Sequence, residues 1–318
     1  MACSSVAAPN VGPGEGGAGG VASGGSSASG IPGEAGSADS AQAGGSAIVA
    51  GAGAGATAGG TLSGGGEAGL GGAGGAGGEA GAATPVTDEF AILQMGQSNQ
   101  SGYITHTAPF SGLPQVSFYV GDQERVFMPG NTSSDFPPGD TQLRAGPEFG
   151  IANGLAPTGL PVWMAKAAVG GTPITAAMPG GVYNAQFIAA MGVLTANTKE
   201  STPVYLVQRS GEKESANLAL ADMVATAEAD FLSYARGLAS GRTVFLICVI
   251  TNPNILPAGY PNVDMVRNGL MAAVAADARA ASYAPTWVPT YNPHDDGDQQ
   301  DSIGASVAAI ILQHSRLR

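Results

Sequence analysis

The stretch AILQMGQSNQSG, residues 91–102, decides how this chain folds. It opens as an apolar run typical of a buried β-strand and changes at Gly96 to amides and serines without any charge. Such a change is expected where a buried strand ends at the edge of a sheet and a glycine lets the chain turn. Ser98, in this polar tip, is therefore either a nucleophile or a turn residue.

Residues 1–84 differ in composition from everything that follows. They hold more than half of the 51 glycines. Most of the other residues are Ala and Ser, and none is Lys, Arg or an aromatic residue. Such residues bury too little apolar surface to offset the entropy of the chain. We predict a Gly-rich low-complexity arm or linker over residues 1–84, followed by one domain over residues 85–318. Stacked polyglycine-type helices, as in some phage fibre tips, are the alternative for the arm.

Charge and hydropathy exclude several classes of protein. The chain has 12 basic and 24 acidic residues and no cluster of Lys and Arg that would contact phosphates, so we expect no nucleic-acid partner. No apolar run reaches the length of a transmembrane segment, and the first residues show no cleavable signal peptide. Cys3 and Cys248 are too few for a disulfide framework or a cysteine-based metal site, and Cys248 is expected to be a buried small hydrophobe. We expect no metal and no cofactor.

Beyond the arm, short β-rich runs alternate with longer segments of helical periodicity. Strands are predicted over residues 90–95, 162–168, 204–209, 244–250 and 287–291, and helices over 148–156, 183–199, 217–238, 263–279 and 302–314. Nearly continuous apolar strands between helices indicate a mainly parallel five-stranded sheet in a three-layer α/β/α sandwich. The site of such a fold lies at the carboxyl ends of the strands, where Ser98 is placed.

A serine hydroxyl needs a base to become a nucleophile, and the chain has three histidines. His314 lies near the end of the last predicted helix, where capping or a surface role is expected. His106 would have to fold back onto Ser98 within a short segment, so a substrate contact or a surface role is expected for it. His294 follows the last predicted strand, and a loop there can bring it to Ser98.

Three blocks of the sequence resemble the SGNH hydrolases, specifically the GQSN branch of carbohydrate esterases that includes acetylxylan esterases and sialate O-acetylesterases. The blocks are LQMGQSNQSG at residues 93–102, GPEFGIANGLAPTGLPVWMAKAAVGGTPI at 146–174 and HDDGDQQDSIGASVAAIIL at 294–312. The resemblance spans about residues 89–314. It implies an SGNH, flavodoxin-like domain and a serine esterase that removes O-acetyl or similar short acyl groups from a carbohydrate through an acyl-serine intermediate.

The resemblance also implies roles for individual residues. Ser98 would be the nucleophile, and His294 would take its proton and return it to the leaving alcohol. The backbone N–H of Ser98 and that of Gly170 or Gly171 would form the oxyanion hole.

The family has a further block, its third, between the second block and the C-terminal block at residues 294–312. It typically reads Gln-Gly-Glu, a small residue and Asp, and this sequence departs from that pattern. Here SGEKES, residues 210–215, puts Ser210 in the Gln position. The remaining donor of the oxyanion hole would then be the hydroxyl of Ser210 or, across a two-residue shift, the amide of Gln208, which we prefer because its N–H groups have a fixed direction.

The acid that orients the histidine departs from the pattern as well. Many SGNH enzymes carry an Asp three residues before the histidine, a position that is Tyr291 here. In some esterases of the GQSN branch the Glu of the third block fills this role, and Glu212 matches it. The predicted triad is therefore Ser98, His294 and Glu212. Asp295 and Asp296 are the alternatives for the acid, although solvated loop or turn roles are expected for them.

Several other residues are candidates for binding substrate. Gln97 and Asn99 either touch substrate or hold the loop, and the sequence does not distinguish the two. Tyr103 follows the nucleophile and is suited to stacking on a sugar ring. Arg144 is expected to be an ordinary surface charge. Two tryptophans in predicted strands are expected to belong to the core, Trp163 and Trp287.

The altered third block and Tyr291 keep a second class of protein open. The alternative is an SGNH-fold glycan-binding or structural protein of a cell surface or phage virion whose catalysis is weakened or lost. The Gly-rich arm and a polysaccharide substrate favour a location outside the cytoplasm, with residues 1–84 attaching the domain to an envelope or a virion. Cys3, followed by Ser-Ser and the Gly-rich segment, resembles the mature end of a bacterial lipoprotein.

Overall fold

The structure is a computed structural model that describes residues 86–106, 113, 115–254, 259–287, 289 and 294–317. The predicted arm at residues 1–84 and Tyr291 lie outside the described residues. No helix in the described ranges is long and apolar enough to cross a membrane.

Short strands and longer helices alternate along the described chain. In order, they are β1 (Val86–Thr87), β2 (Phe90–Gly96), α1 (Ser98–Ser101), β3 (Ile104–Thr105), β4 (Val116–Val120), β5 (Gln123–Arg125), β6 (Arg144–Ala145), α2 (Glu148–Leu155), β7 (Val162–Ala168), α3 (Asn184–Asn197), β8 (Val204–Arg209), α4 (Glu212–Ser215), α5 (Leu218–Leu238), β9 (Val244–Val249), α6 (Val263–Ala275), β10 (Ala280–Tyr283), α7 (Gly297–His314) and β11 (Arg316–Leu317). Two 3₁₀ turns, Ala156–Thr158 and Ile174–Ala177, follow α2 and β7.

The central sheet has seven strands in the order β10-β9-β8-β2-β7-β4-β5. All neighbours are parallel except β5, which is antiparallel to β4. In this register Gly96, the last residue of β2, lies beside Ala168 of β7 and Arg209 of β8. The segments that follow these three strands therefore meet at one edge of the sheet.

Both faces of the sheet are covered by helices. Leu93 and Met95 of β2 pack with residues of α3, α5 and α6, whereas Phe90 and Ile92 pack with residues of α2 and α7. Because neither face meets water, the central strands are apolar almost throughout. The predicted three-layer α/β/α sandwich with a mainly parallel sheet is confirmed.

The predicted number of strands was wrong, and so was the last predicted strand. The sheet has seven strands instead of five, because β4 and the short, polar β5 extend one edge. The described residues Trp287 and Pro289 are not in a strand, and β10 precedes them. β10 has the sequence AASY and is only partly buried at the other edge, so it gives almost no apolar signal.

Helices α2 and α7 pack unusually closely. A Cβ atom on Gly304 of α7 would lie 2.2 Å from the main-chain oxygen of Pro147, and one on Gly150 of α2 would lie 2.2 Å from that of Asp301. Neither position has room for a side chain. This contact holds the start of α7, and with it His294, against the start of the second sequence block.

Candidate active site

Ser98 and His294 are neighbours in space although 196 residues separate them in the chain. Ser98 Oγ lies 2.8 Å from His294 Nε2, and both side chains are half-buried. Ser98 begins α1 directly after the central strand β2, and His294 lies just before α7. The distance is that of a hydroxyl donating its hydrogen to an imidazole nitrogen, the arrangement that activates a serine.

Gly96 shapes the turn that presents Ser98. Its φ is +146°, and a Cβ atom there would lie 1.8 Å from the main-chain oxygen of Arg209. The next residue, Gln97, donates its N–H to the same oxygen at 3.0 Å. Only glycine fits, so the strand ends at Gly96 and Ser98 becomes the first residue of a helical turn, where the N–H has no partner within the helix.

The surroundings of His294 keep its imidazole neutral near pH 7. Burial lowers the pKa of His294, and the charge of Arg209 lowers it further, whereas the carboxylates of Glu212 and Asp295 act in the opposite direction. A neutral imidazole can accept the hydroxyl proton, so the shift favours a general base.

Glu212 lies close enough to His294 to affect its pKa, but the described residues include no hydrogen bond between the two. Oε1 of Glu212 accepts a hydrogen bond of 3.0 Å from Asn99 Nδ2 and lies 3.9 Å from Nε of Arg209. Oε2 is buried and has no hydrogen-bond partner within the described part of the chain. Glu212 thus acts on His294 through its charge in this arrangement.

Asp295 is fully buried, so the expected solvated loop role was wrong. Its carboxylate forms an ion pair with Arg209 and accepts a hydrogen bond of 2.9 Å from Nε1 of Trp287. Arg209, which also lies next to Glu212, was not among the predicted site residues. Asp296 caps α7: its carboxylate accepts the Gln299 N–H at 2.9 Å, in keeping with a turn role.

The side-chain amides of Gln97 and Asn99 are buried and bonded to other protein groups. Asn99 Oδ1 accepts hydrogen bonds of 3.1 Å from the backbone N–H of Asp295 and from Gln300 Nε2. Gln97 Oε1 accepts one of 2.9 Å from the backbone N–H of Lys213. These contacts correspond to the loop-holding alternative for both residues.

Glu214 links the segments that follow the three central strands, and sequence reasoning missed it. It accepts hydrogen bonds from Gln97 Nε2 at 2.7 Å, the Ile174 N–H at 2.7 Å and the Gly211 N–H at 3.0 Å. Burial raises the pKa of Glu214 in spite of these bonds. The signal that could have found it is its place in the third block, where it replaces the Asp of the family pattern.

Gly170 is the glycine of the second block that lies next to the serine. A Cβ atom on Gly170 would lie 3.5 Å from Ser98 Cβ. Its N–H, however, already donates to the carboxylate of Asp135, at 3.0 Å to Oδ2 and 3.3 Å to Oδ1. Gly171, with φ +70°, is exposed beside it. No sequence motif marks Asp135, which lies in the long loop between β5 and β6.

Gln208 and Ser210, the two candidates for the remaining donor of the oxyanion hole, form a hydrogen bond with each other. Gln208 and Ser210 are both buried, and Gln208 Nε2 donates to Ser210 Oγ. Gln208 Oε1 accepts a hydrogen bond of 3.0 Å from Sγ of Cys248, whose thiol pKa is raised by burial. A donor of the oxyanion hole bonds the substrate oxygen and not the serine, so the predicted role of Gln208 or Ser210 stays a prediction.

Tyr103 stacks on His294, with 4.8 Å between the ring centroids and 25° between the planes. The Tyr103 side chain is 45% exposed, and its ring also contacts Phe136 at 5.8 Å. Arg144 places its guanidinium 3.7 Å from the centroid of Phe136 and pairs with Asp140. The rings of Tyr103 and Phe136 thus form an aromatic surface beside His294.

His106 is not at the surface, so the surface role, one of the two expected for it, was wrong. It is buried, its Nε2 lies 3.0 Å from Oδ2 of Asp301, and its ring packs on Phe149. The hydrogen bond to Asp301 raises the pKa of His106, and burial acts against this effect. His106 thus fastens the segment after Tyr103 to α7.

No family model and no curated protein sequence matches the chain. Among solved structures, it is similar to a protein of Arabidopsis thaliana, with 14% identity, a TM-score of 0.53 and coverage of 72% of this chain and 98% of that one. It is also similar to NanS, with 11% identity, a TM-score of 0.52 and coverage of 73% and 98%. A carbohydrate acetylesterase from Xanthomonas citri matches with 15% identity and a TM-score of 0.47 over 69% of this chain and 54% of that one. The first two likenesses show that the chain shares the fold of these two proteins.

Proposed function

We propose that the chain is a serine esterase that removes O-acetyl or similar short acyl groups from a carbohydrate. The observation that carries this proposal is the contact of 2.8 Å between Ser98 Oγ and His294 Nε2 at the carboxyl end of the central strand. The sequence blocks that resemble GQSN-type carbohydrate esterases supply the substrate class.

The first half of the reaction forms an acyl-serine. Ser98 Oγ attacks the ester carbonyl carbon while His294 Nε2 takes the hydroxyl proton. The oxyanion that forms accepts hydrogen bonds from the N–H groups of Ser98 and Gly170. The intermediate collapses when His294 returns the proton to the leaving alcohol, which departs as the deacylated sugar.

The second half reverses these roles with water. His294 takes a proton from water, the hydroxide attacks the acyl carbon, and Ser98 regains its proton as the carboxylic acid leaves. The imidazole is positively charged twice in each cycle. Glu212, whose Oε2 lacks a hydrogen-bond partner in the described structure, stabilises that charge at close range.

Two contacts favour the alternative of a glycan-binding protein with weakened catalysis. Asp135 occupies the N–H of Gly170, and the side-chain amide of Gln208 is bonded within the protein, to Ser210 and Cys248. In that case the domain would bind acetylated glycans without releasing acetate.

The deciding experiment measures acetate release from acetylated xylan and acetylated monosaccharides. We expect Ser98→Ala to abolish release while circular dichroism and melting stay as in the wild type. Ser302→Ala, a change at an exposed position of α7, is the matched control and retains activity. Undiminished release by Ser98→Ala rules out the mechanism, and glycan binding without release by the wild type establishes the alternative.

A further inference from the structure

Asp135 places a carboxylate beside the candidate nucleophile, and the mechanism above gives it no role. Its Oδ2 accepts hydrogen bonds from Ser101 Oγ at 2.6 Å and from the Gly170 N–H at 3.0 Å. A Cβ atom on Gly170 would lie 3.0 Å from this oxygen and 3.5 Å from Ser98 Cβ. The carboxylate is thus separated from Ser98 by the width of one residue.

The loop that carries Asp135 is fixed on both sides. Ser134 donates its N–H to the main-chain oxygen of Ser101 at 2.9 Å and its hydroxyl to that of Ala168 at 2.6 Å. Arg125 Nη1 donates to three main-chain oxygens of the loop, those of Asn131, Ser133 and Phe136, at 3.2, 2.7 and 3.4 Å. The position of the carboxylate is therefore built into the fold.

Asp135 forms no ion pair with a described residue. Asp135 is exposed, and no Lys, Arg or His nitrogen in the described ranges lies within 4.0 Å of its carboxylate. Of the basic groups of the surrounding elements, Arg144 pairs with Asp140 and Lys166 with Glu148, whereas Arg125 donates to main-chain oxygens of the loop and not to the carboxylate. A substrate that reaches Ser98 therefore meets a carboxylate that forms no direct ion pair with a described residue.

We propose that Asp135 is a specificity residue that admits esters of neutral or cationic sugars and rejects esters that carry a carboxylate. This inference rests on the proposed esterase function and names its substrate class. A carboxylate only accepts hydrogen bonds, so it binds hydroxyl, amide or ammonium donors next to the ester and repels a second carboxylate. When the ester oxygen takes over the Gly170 N–H, an oxygen of Asp135 is released for such a donor.

The test compares two aryl acetates that differ in charge, 4-acetoxybenzoate and its neutral methyl ester, methyl 4-acetoxybenzoate. The measured quantity is the ratio of kcat/KM for the anionic ester to kcat/KM for the neutral one. Asp135→Asn keeps the shape and an acceptor oxygen but removes the charge. We expect it to raise the ratio about tenfold, the size expected for one nearby charge that is partly screened. Asp230→Asn, the same change at an exposed position of α5, should leave the ratio as in the wild type.

The possible outcomes separate the two proposals. If both esters are hydrolysed and Asp135→Asn does not change the ratio, the specificity role is overturned and the esterase function stands. If the wild type hydrolyses neither aryl ester and releases no acetate from O-acetylated sugars, both proposals are overturned. The specificity role is supported if the ratio rises only in Asp135→Asn and if added salt moves the wild-type ratio in the same direction. Acetate release from an O-acetylated methyl glucoside and from the matching uronic acid should show the same preference.

Discussion

The side-chain amide of Gln97 donates a hydrogen bond of 2.7 Å to Oε2 of Glu214, which lies 117 residues further along the chain. Glu214 also accepts the N–H groups of Ile174 and Gly211, so one carboxylate holds the residue before Ser98 and the starts of two other loops. The position of the serine thus depends on an acid that does not contact it.

Replacing Glu214 by Gln should impair catalysis more than folding. The glutamine amide would place an N–H donor where the carboxylate of Glu214 now accepts hydrogen bonds from N–H groups. Gln97 and the turn that carries Ser98 would therefore shift. A displacement of this kind lowers kcat by about 100-fold. The measurement is kcat on a chromogenic acetate, with Glu124→Gln, a change at an exposed position of β5, as the matched control. An unchanged kcat in a folded Glu214→Gln protein would show that the three contacts do not position Ser98.

The pH dependence of kcat/KM should report the lowered pKa of His294. Burial and the charge of Arg209 both disfavour the imidazolium, so the base stays neutral to a pH below its usual value of 6.5. Because activity requires the neutral form, kcat/KM should fall only below that pH. A pH profile with a substrate that does not ionise tests this, and a midpoint above 6.5 would contradict it.

Tyr103 should hold the imidazole of His294 in place. Aromatic pairs of this kind contribute about 0.5–1.5 kcal/mol, so Tyr103→Leu should lower kcat by up to about tenfold. Tyr103→Phe keeps the stacked ring and is the matched control. If both variants lose activity equally, the hydroxyl of Tyr103 matters and the stacking does not.

Glu228 should make the protein less stable as the pH rises. It is buried in α5, neither carboxylate oxygen has a hydrogen-bond partner among the described residues, and burial raises its pKa to about 8. The unfolded chain ionises this group from its ordinary pKa of 4.5, so stability is full below that pH and is lost as the pH rises through about 8.

Glu228→Gln removes this titration. The stability difference between variant and wild type should grow by roughly 3 kcal/mol from about pH 4.5 to about pH 7. Urea unfolding at both pH values measures it. Glu124→Gln is again the matched control, and its difference should not depend on pH in this way. A flat difference for Glu228→Gln would contradict the buried, neutral acid.

The pair of His106 and Asp301 should stabilise the protein in acid more than in base. The hydrogen bond to Asp301 raises the pKa of His106 above 6.5, so the stabilisation is fully present below that pH and is lost as the pH rises through the raised value. We expect His106→Gln to cost about 2 kcal/mol below pH 6 and less above pH 8. Denaturant unfolding measures the loss, and in an Asp301→Asn background this pH dependence should be lost or reversed, because burial lowers the pKa of His106.

Local patterns in the sequence were enough to predict four of the central strands and the helices that cover them. β2, β7, β8 and β9 are apolar because both of their faces are buried, and α5 begins directly after Asn217, whose side chain accepts the N–H groups of Ala219 and Leu220. β10 was missed because an edge strand needs few apolar residues. α7 begins earlier than its apolar repeat indicates because Asp296 caps a polar first turn.

The sequence by itself determined that a polar tip containing Ser98 follows a buried central strand, and that His294 is the histidine suited to reach it. These properties depend on neighbouring residues, on their period and on the turn that Gly96 permits. Only the tertiary structure decided that Asp295 is buried against Arg209, that Glu214 joins three loops and that Asp135 occupies the N–H of Gly170. Those contacts join residues far apart in the chain, and the packing of the sheet and helices determines which of them meet.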